Sequence, residues 1–160
     1  MSHNLNYRPY RPCVGLVVIN EQGLVFAGRR LDSNSNSWQM PQGGIEKGES
    51  VLDAGLREMK EEIGTNNVIL IGEMQEWLNY DIPNNLIKHL WGGKYRGQTQ
   101  KWLAYKFLGK DKEINIKTKN PEFSDWKWMK SIELPQFAIP FKREIYIKVL
   151  KEYSRFLKLN

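Results

Sequence analysis

Two kinds of hydrophobic pattern alternate along the chain. The first is the short apolar run. Residues 14–19 (VGLVVI) and 23–28 (GLVFAG) read as two strands joined by the turn residues Asn20, Glu21, Gln22 and Gly23. Further strands are predicted over 38–45, where WQMPQGGI runs into a glycine turn, over 68–77, over 99–108 and over 126–129. The second pattern is the helical spacing. Residues 50–63 form a helix that stops at Gly64. Residues 142–157 form another, with Tyr146, Val149, Leu150, Tyr153 and Leu157 on one stripe. Residues 31–37 and 109–124 read as loop, and 86–97 as a hairpin or loop marked by Gly92, Gly93 and Gly97. Strands outnumber helices, and the two long helices lie far apart in sequence. The expected class is α/β, with a mixed sheet between helices.

Length and composition narrow the choice. At 160 residues, with 41% hydrophobic and 26% charged positions, the chain is expected to be a single folded domain over 1–160. The single cysteine, Cys13, excludes an internal disulfide, and two histidines leave little for an imidazole metal site. No apolar run is long enough for a membrane span or a signal-peptide core, so cytoplasmic location is the expectation. The net charge of +6 suits a polyanionic partner.

Against that basic background the helix at 50–63 stands out. Leu52, Leu56, Met59 and Ile63 lie within about 60° of one another and are expected to form its buried stripe. Glu58, Glu61 and Glu62 fan over the other side. Glu58 and Glu62 are surface neighbours four residues apart, and such carboxylates repel unless they take up protons or bind a cation. Oxygen-only ligands suit Mg²⁺ or Mn²⁺. Glu49 and Arg57 are expected to be structural, an ion pair fixing the preceding loop to the helix. The segment GGIEKGES at 43–50 nearly spells a phosphate-binding P-loop, but Glu49 stands where the lysine is needed, which excludes that reading.

The spacing Gly43, Glu49, Arg57, Glu58, Met59, Glu61, Glu62 and Gly64 resembles the Nudix box, over residues 43–65. Thr65 departs from it where an aliphatic residue is usual. The flanks are similar to bacterial RNA 5′-pyrophosphohydrolases and to the related dinucleoside polyphosphate hydrolases. They include Tyr10-Arg11-Pro12, Gly28-Arg29-Arg30, the segment from Ser37 to Gly44, the segment from Gly97 to Trp102, Pro121-Glu122-Phe123 and Phe141-Lys142-Arg143. Tyr-Arg-Pro occurs twice, at 7–9 and 10–12, and Arg11 has the spacing to the first strand.

The resemblance implies an α/β/α sandwich and a hydrolase of phosphoanhydride bonds. It implies that Glu58, Glu61, Glu62 and Glu122 hold more than one Mg²⁺ or Mn²⁺ ion. One of Glu58 and Glu61 would take the proton of the attacking water. Arg11, Arg30 and Lys142 would meet phosphates, and Phe141 would stack on a base with Arg30 opposite. Trp38, Trp102, Trp126 and Trp128 are expected in the core. The expected substrate is 5′-triphosphorylated RNA. The alternatives are a dinucleoside polyphosphate such as diadenosine tetraphosphate, and a non-catalytic nucleotide-binding scaffold. No membrane and no obligate protein partner are expected.

Overall fold

The structure is a computed structural model that describes residues 7–31 and 36–158. Part of the polar loop at 31–37 therefore lies outside the described residues. The strands are β1 (Tyr10–Ile19), β2 (Val25–Arg30), β3 (Trp38–Gln39), β4 (Gln42–Gly44), β5 (Val68–Glu73), β6 (Leu78–Asp81), β7 (Gly97–Phe107) and β8 (Phe123–Met129). The helices are α1 (Val51–Ile63), α2 (Asn84–Ile87), α3 (Leu134–Phe137) and α4 (Arg143–Glu152).

The spine of the sheet is the parallel pair β1–β7, in register from Tyr10 opposite Gly97 to Ile19 opposite Lys106. The sheet order is β3-β2-β1-β7-β5, with β4 on β1, β6 on β7 and β8 on β2. All other pairings are antiparallel, so the sheet is mixed. Both faces are covered, which is why residues 14–19 are apolar without alternation. Val14, Leu16 and Val18 pack with Met59 and Ile63 of α1 on one face. Val17 and Ile19 pack with Tyr146, Val149 and Leu150 of α4 on the other. The α/β/α sandwich expected from the sequence is the fold observed.

Several boundaries differ from expectation, each for a local reason. The predicted strand over 68–77 is two strands: the chain bends at Gln75 and Glu76, and both pieces pair with β7. Residues 86–97 contain the end of α2 and a tight turn at Trp91–Gly93. The C-terminal helix ends at Glu152, followed by a 3₁₀ turn at Ser154–Phe156. Its stripe is buried all the same, because Tyr153 is tied by its hydroxyl, which donates to the Trp102 carbonyl at 2.9 Å. Trp38 and Trp102 are in the core, and Trp126 and Trp128 pack against its α1 side.

The orientation of α1 is a correction with functional weight. Met59 and Ile63 are fully buried, but Leu52 and Leu56 are 42% and 41% exposed. The inward residues are Ala54, Gly55, Glu58, Met59, Glu62 and Ile63. The helix is thus turned by roughly 80° from the face that apolar spacing selects, toward its glutamates. Gly55 permits this, since a methyl group there would meet the Tyr105 hydroxyl and Leu103. At its ends the helix behaves as expected. The Asp53 amide donates to the Ser50 hydroxyl at 3.1 Å, and Gly64 takes the left-handed conformation at φ 79°.

Candidate active site

Arg57 organises the start of the site. Its Nε and Nη2 donate to the two oxygens of Glu49, both at 2.8 Å, and Nη2 also donates to the Gly44 carbonyl at 2.8 Å. This is the ion pair between loop and helix that the sequence suggests. Nη1 reaches Glu58 Oε1 at 2.9 Å and Glu61 Oε2 at 3.3 Å. The guanidinium holds Glu49 down at a pKa of about 2. Gly44, whose carbonyl accepts from Arg57, lies in β4, so one side chain fixes the β4 turn to α1.

The turn of α1 toward the sheet carries Glu58 and Glu62 inward, to 8% and 5% exposure. The Gln42 amide donates to Glu62 Oε2 at 3.2 Å. Burial pushes the Glu62 carboxyl well above the ordinary range, reinforced by the charges of Glu58 and Glu122. Burial raises Glu58 to about 6, against the pull of Arg57. Glu61 is exposed at the rim, and Glu122 sits in the loop just before β8. Two buried carboxylates with raised pKa, facing further carboxylates, fit a hard divalent cation. Among the described residues no three of these groups close on a single point. Two of the glutamates are turned toward Arg57 instead.

All the predicted contact residues border one cleft of about 340 Å³. On it lie Gly43, Glu58, Glu61, Glu62 and Glu122, and with them Arg11, Arg30, Phe141 and Lys142. Of the two copies of Tyr-Arg-Pro, Arg11 lines the cleft and Arg8 does not. Arg11 donates to the Cys13 sulfur at 3.3 Å and lies 5.3 Å from the centre of the Trp91 ring. Gly44 makes room for it, since a methyl group there would strike the guanidinium. Phe141 is half-buried, its ring 5.6 Å from that of Tyr80, and Lys142 is 4% exposed. Cys13 is fully buried, and burial lifts its thiol to about 11, so it stays protonated and inert.

Several residues at and behind the cleft receive no individual role from the sequence. Gln100 Nε2 donates to Gln42 Oε1 at 2.6 Å and to Gln98 Oε1 at 2.9 Å, while Trp102 Nε1 donates to Gln100 Oε1 at 3.1 Å. This network supports the wall bearing Gln42 and Tyr80. Its signal is the pair of glutamines at alternate positions, Gln98 and Gln100, buried on one face of β7. Gln39 also borders the cleft, with a buried side-chain oxygen that accepts no hydrogen bond among the described residues. Trp91 carries no sequence signal beyond its place before Gly92 and Gly93.

A mixed sheet between helices, with an acidic helix facing a cleft ringed by cations, defines a class that sequence comparison names. The NUDIX domain model matches residues 9–149, and the chain belongs to that family. A curated relative called RNA pyrophosphohydrolase, from Orientia tsutsugamushi strain Boryong, is 52% identical over 154 residues, covering 96% of each chain. One of the same name from Roseobacter denitrificans is 49% identical over 151 residues, covering 93% of this chain and 94% of the relative. Among solved structures, the E. coli dihydroneopterin triphosphate pyrophosphohydrolase superposes with a TM-score of 0.67 at 20% identity. It covers 90% of this chain and 99% of that one. That likeness concerns the fold.

Proposed function

We propose that this chain is a hydrolase that removes pyrophosphate from the 5′-triphosphate end of RNA and leaves a 5′-monophosphate. The observation that carries the reading is the convergence of acidic and basic side chains on one cleft. They come from β1, β2, α1, the loop before β8 and the turn before α4. The RNA pyrophosphohydrolase names of relatives at about half identity support the choice of substrate.

In this reading Glu58, Glu61, Glu62 and Glu122 hold Mg²⁺ or Mn²⁺, and more than one ion. When bound, such ions offset phosphate charge and lower the pKa of an attacking water. The chain does the rest. Arg11, Arg30 and Lys142 bind the phosphate oxygens, with the Arg forks fixing orientation and the lysine acting as a point charge. Phe141 stacks on a base near the 5′ end, with Arg30 facing it. Glu58 or Glu61 accepts the proton of the water. Arg57 and Glu49 hold the carboxylates in place without touching substrate. Gly43 and Gly64 allow the close approaches on either side of the helix. We assign the work to the cytoplasm and to RNA turnover, in one domain spanning the chain.

The test is direct. Purified protein with Mg²⁺ is given 5′-triphosphorylated RNA and, separately, diadenosine tetraphosphate at equal concentration. Faster release of pyrophosphate from RNA is expected. Faster turnover of the dinucleotide would reverse the substrate assignment while keeping the site.

A further inference from the structure

The segment between β6 and β7 crosses the rim of the cleft and contains the one non-glycine residue with positive φ among the described residues, Trp91 at φ 49°. Gly92 and Gly93 follow it at φ 65° and 75°. A bulky residue rarely adopts the left-handed region, and where it does the surroundings over-determine it, most often at functional sites. Trp91 is only half-buried, so core packing alone does not hold it. One side of it packs on the small cluster of Tyr80, Ile82 and Ile87; its other partners are Arg11, 5.3 Å from its ring centre, and the ring of Tyr95, 6.0 Å away and edge-on at 76°. The Lys94 ammonium in turn lies 5.3 Å from the centre of the Tyr95 ring. Trp91 borders the cleft, and Lys94 and Tyr95 lie outside it. The row therefore leads outward from the phosphate-facing Arg11, two adjoining rings with a cation at each end.

We propose that Trp91, Lys94 and Tyr95 form a platform for single-stranded RNA that continues beyond the nucleotides held in the cleft. The proposal deepens the RNA reading given above and rests on it. Two aromatic rings with adjoining cations meet the two needs of a single strand, a surface for unpaired bases and positive charge for the backbone. A duplex keeps its base faces stacked inside and gains nothing from rings at the surface. The strained Trp91 turn is what aims the first ring at the cleft edge.

The experiment uses 5′-monophosphorylated single-stranded RNA of two and of ten nucleotides, with binding followed by fluorescence anisotropy. Wild-type protein is expected to bind the longer strand about tenfold more tightly, and Tyr95→Ala to lose about tenfold on it while staying within about twofold on the dinucleotide. Tyr95→Phe keeps the ring and restores the affinity; Tyr95→Leu keeps bulk and does not. Lys94→Ala lowers the salt dependence of the longer strand by about 0.7 in log–log slope, one phosphate contact. Circular dichroism checks that each variant is folded. Equal losses at both lengths, no loss, or the same loss toward inorganic polyphosphate, which has no bases, would overturn the platform. Release of pyrophosphate from a triphosphorylated dinucleotide reports separately on the parent reading. Failure there with length-dependent binding intact sinks the activity alone.

Discussion

The Glu58 carboxylate rests against the backbone of Gly43, so closely that a methyl group on Gly43 would overlap it. The contact joins α1 to β4, and β4 to β1 through the pairing of Gly43 with Val14. Gly43 is not a positive-φ glycine, so the requirement is for space and not for backbone freedom. Gly43→Ala should displace Glu58, lower turnover at least about a hundredfold and cost roughly 1–3 kcal/mol of stability, the usual range for overpacking. Steady-state kinetics beside a thermal melt would separate the two effects.

The raised pKa of Glu58 makes a prediction about metal-free protein. The folded state holds this proton more tightly than the unfolded chain does, so ionisation near pH 6 destabilises the fold. The stabilising contribution of the protonated form is present below the ordinary value of 4.5 and is lost as pH rises toward 6. Glu58→Gln avoids that loss. At pH 7 without metal it should be more stable than the parent by on the order of 2 kcal/mol, and near equal to it at pH 4. Turnover should vanish. Mg²⁺ should raise the Tm of the parent and leave that of the variant nearly unmoved. A variant less stable than the parent at pH 7 would refute this account of the buried carboxylate.

Arg57 makes contacts that no lysine can reproduce, two parallel bonds to Glu49 plus a bond to a carbonyl. Arg57→Lys should cost about 2 kcal/mol and reduce kcat, since Glu58 and Glu61 lose their common donor. Glu49→Gln should lower the Tm at pH 7. Because the Glu49 pKa is depressed, its contribution is present above the ordinary value of 4.5 and lost as pH falls through about 2. The deficit of the variant should therefore shrink in strong acid, which urea titrations at several pH values would reveal.

The rotation of α1 is testable by paired substitutions. Leu52→Gln and Leu56→Gln change exposed positions and should each shift stability by less than about 0.5 kcal/mol. Gly55→Ala, usually helpful in a helix, should instead cost about 1–3 kcal/mol by collision with Tyr105 and Leu103. The opposite ranking would restore the leucines to the interior.

That rotation also marks the limit of what the sequence reveals. Element type is legible wherever period is strong, in residues 14–19, in the helix bounded by Ser50 and Gly64, and in the stripe from Tyr146 to Leu157. The face of α1 is not, because apolarity assigns the interior to leucines while the packed side carries Glu58 and Glu62. Carboxylates turned inward cost energy in the absence of a ligand, and a reading based on burial alone places them outside. The box spacing captures the acidic side chains without their orientation. Glu122 becomes legible only through resemblance, since sixty residues separate it from Glu62. Gln98 and Gln100 alternate along β7, but their hydrogen-bond partners come from packing that the local period does not encode. Trp91 stays hidden because its place depends on a left-handed turn.

At the other end of the molecule, the Lys158 amide donates to the Gly23 carbonyl at 2.9 Å, clasping the described C-terminal residue to the turn after β1. Arg11 and Ile19 sit at opposite ends of β1, about 26 Å apart for an extended strand. A dye, affinity handle or immobilising linker joined behind Lys158 would thus be moored remote from the mouth of the cleft. Single-molecule or surface-based observation of RNA capture can be built on that geometry without obstructing entry.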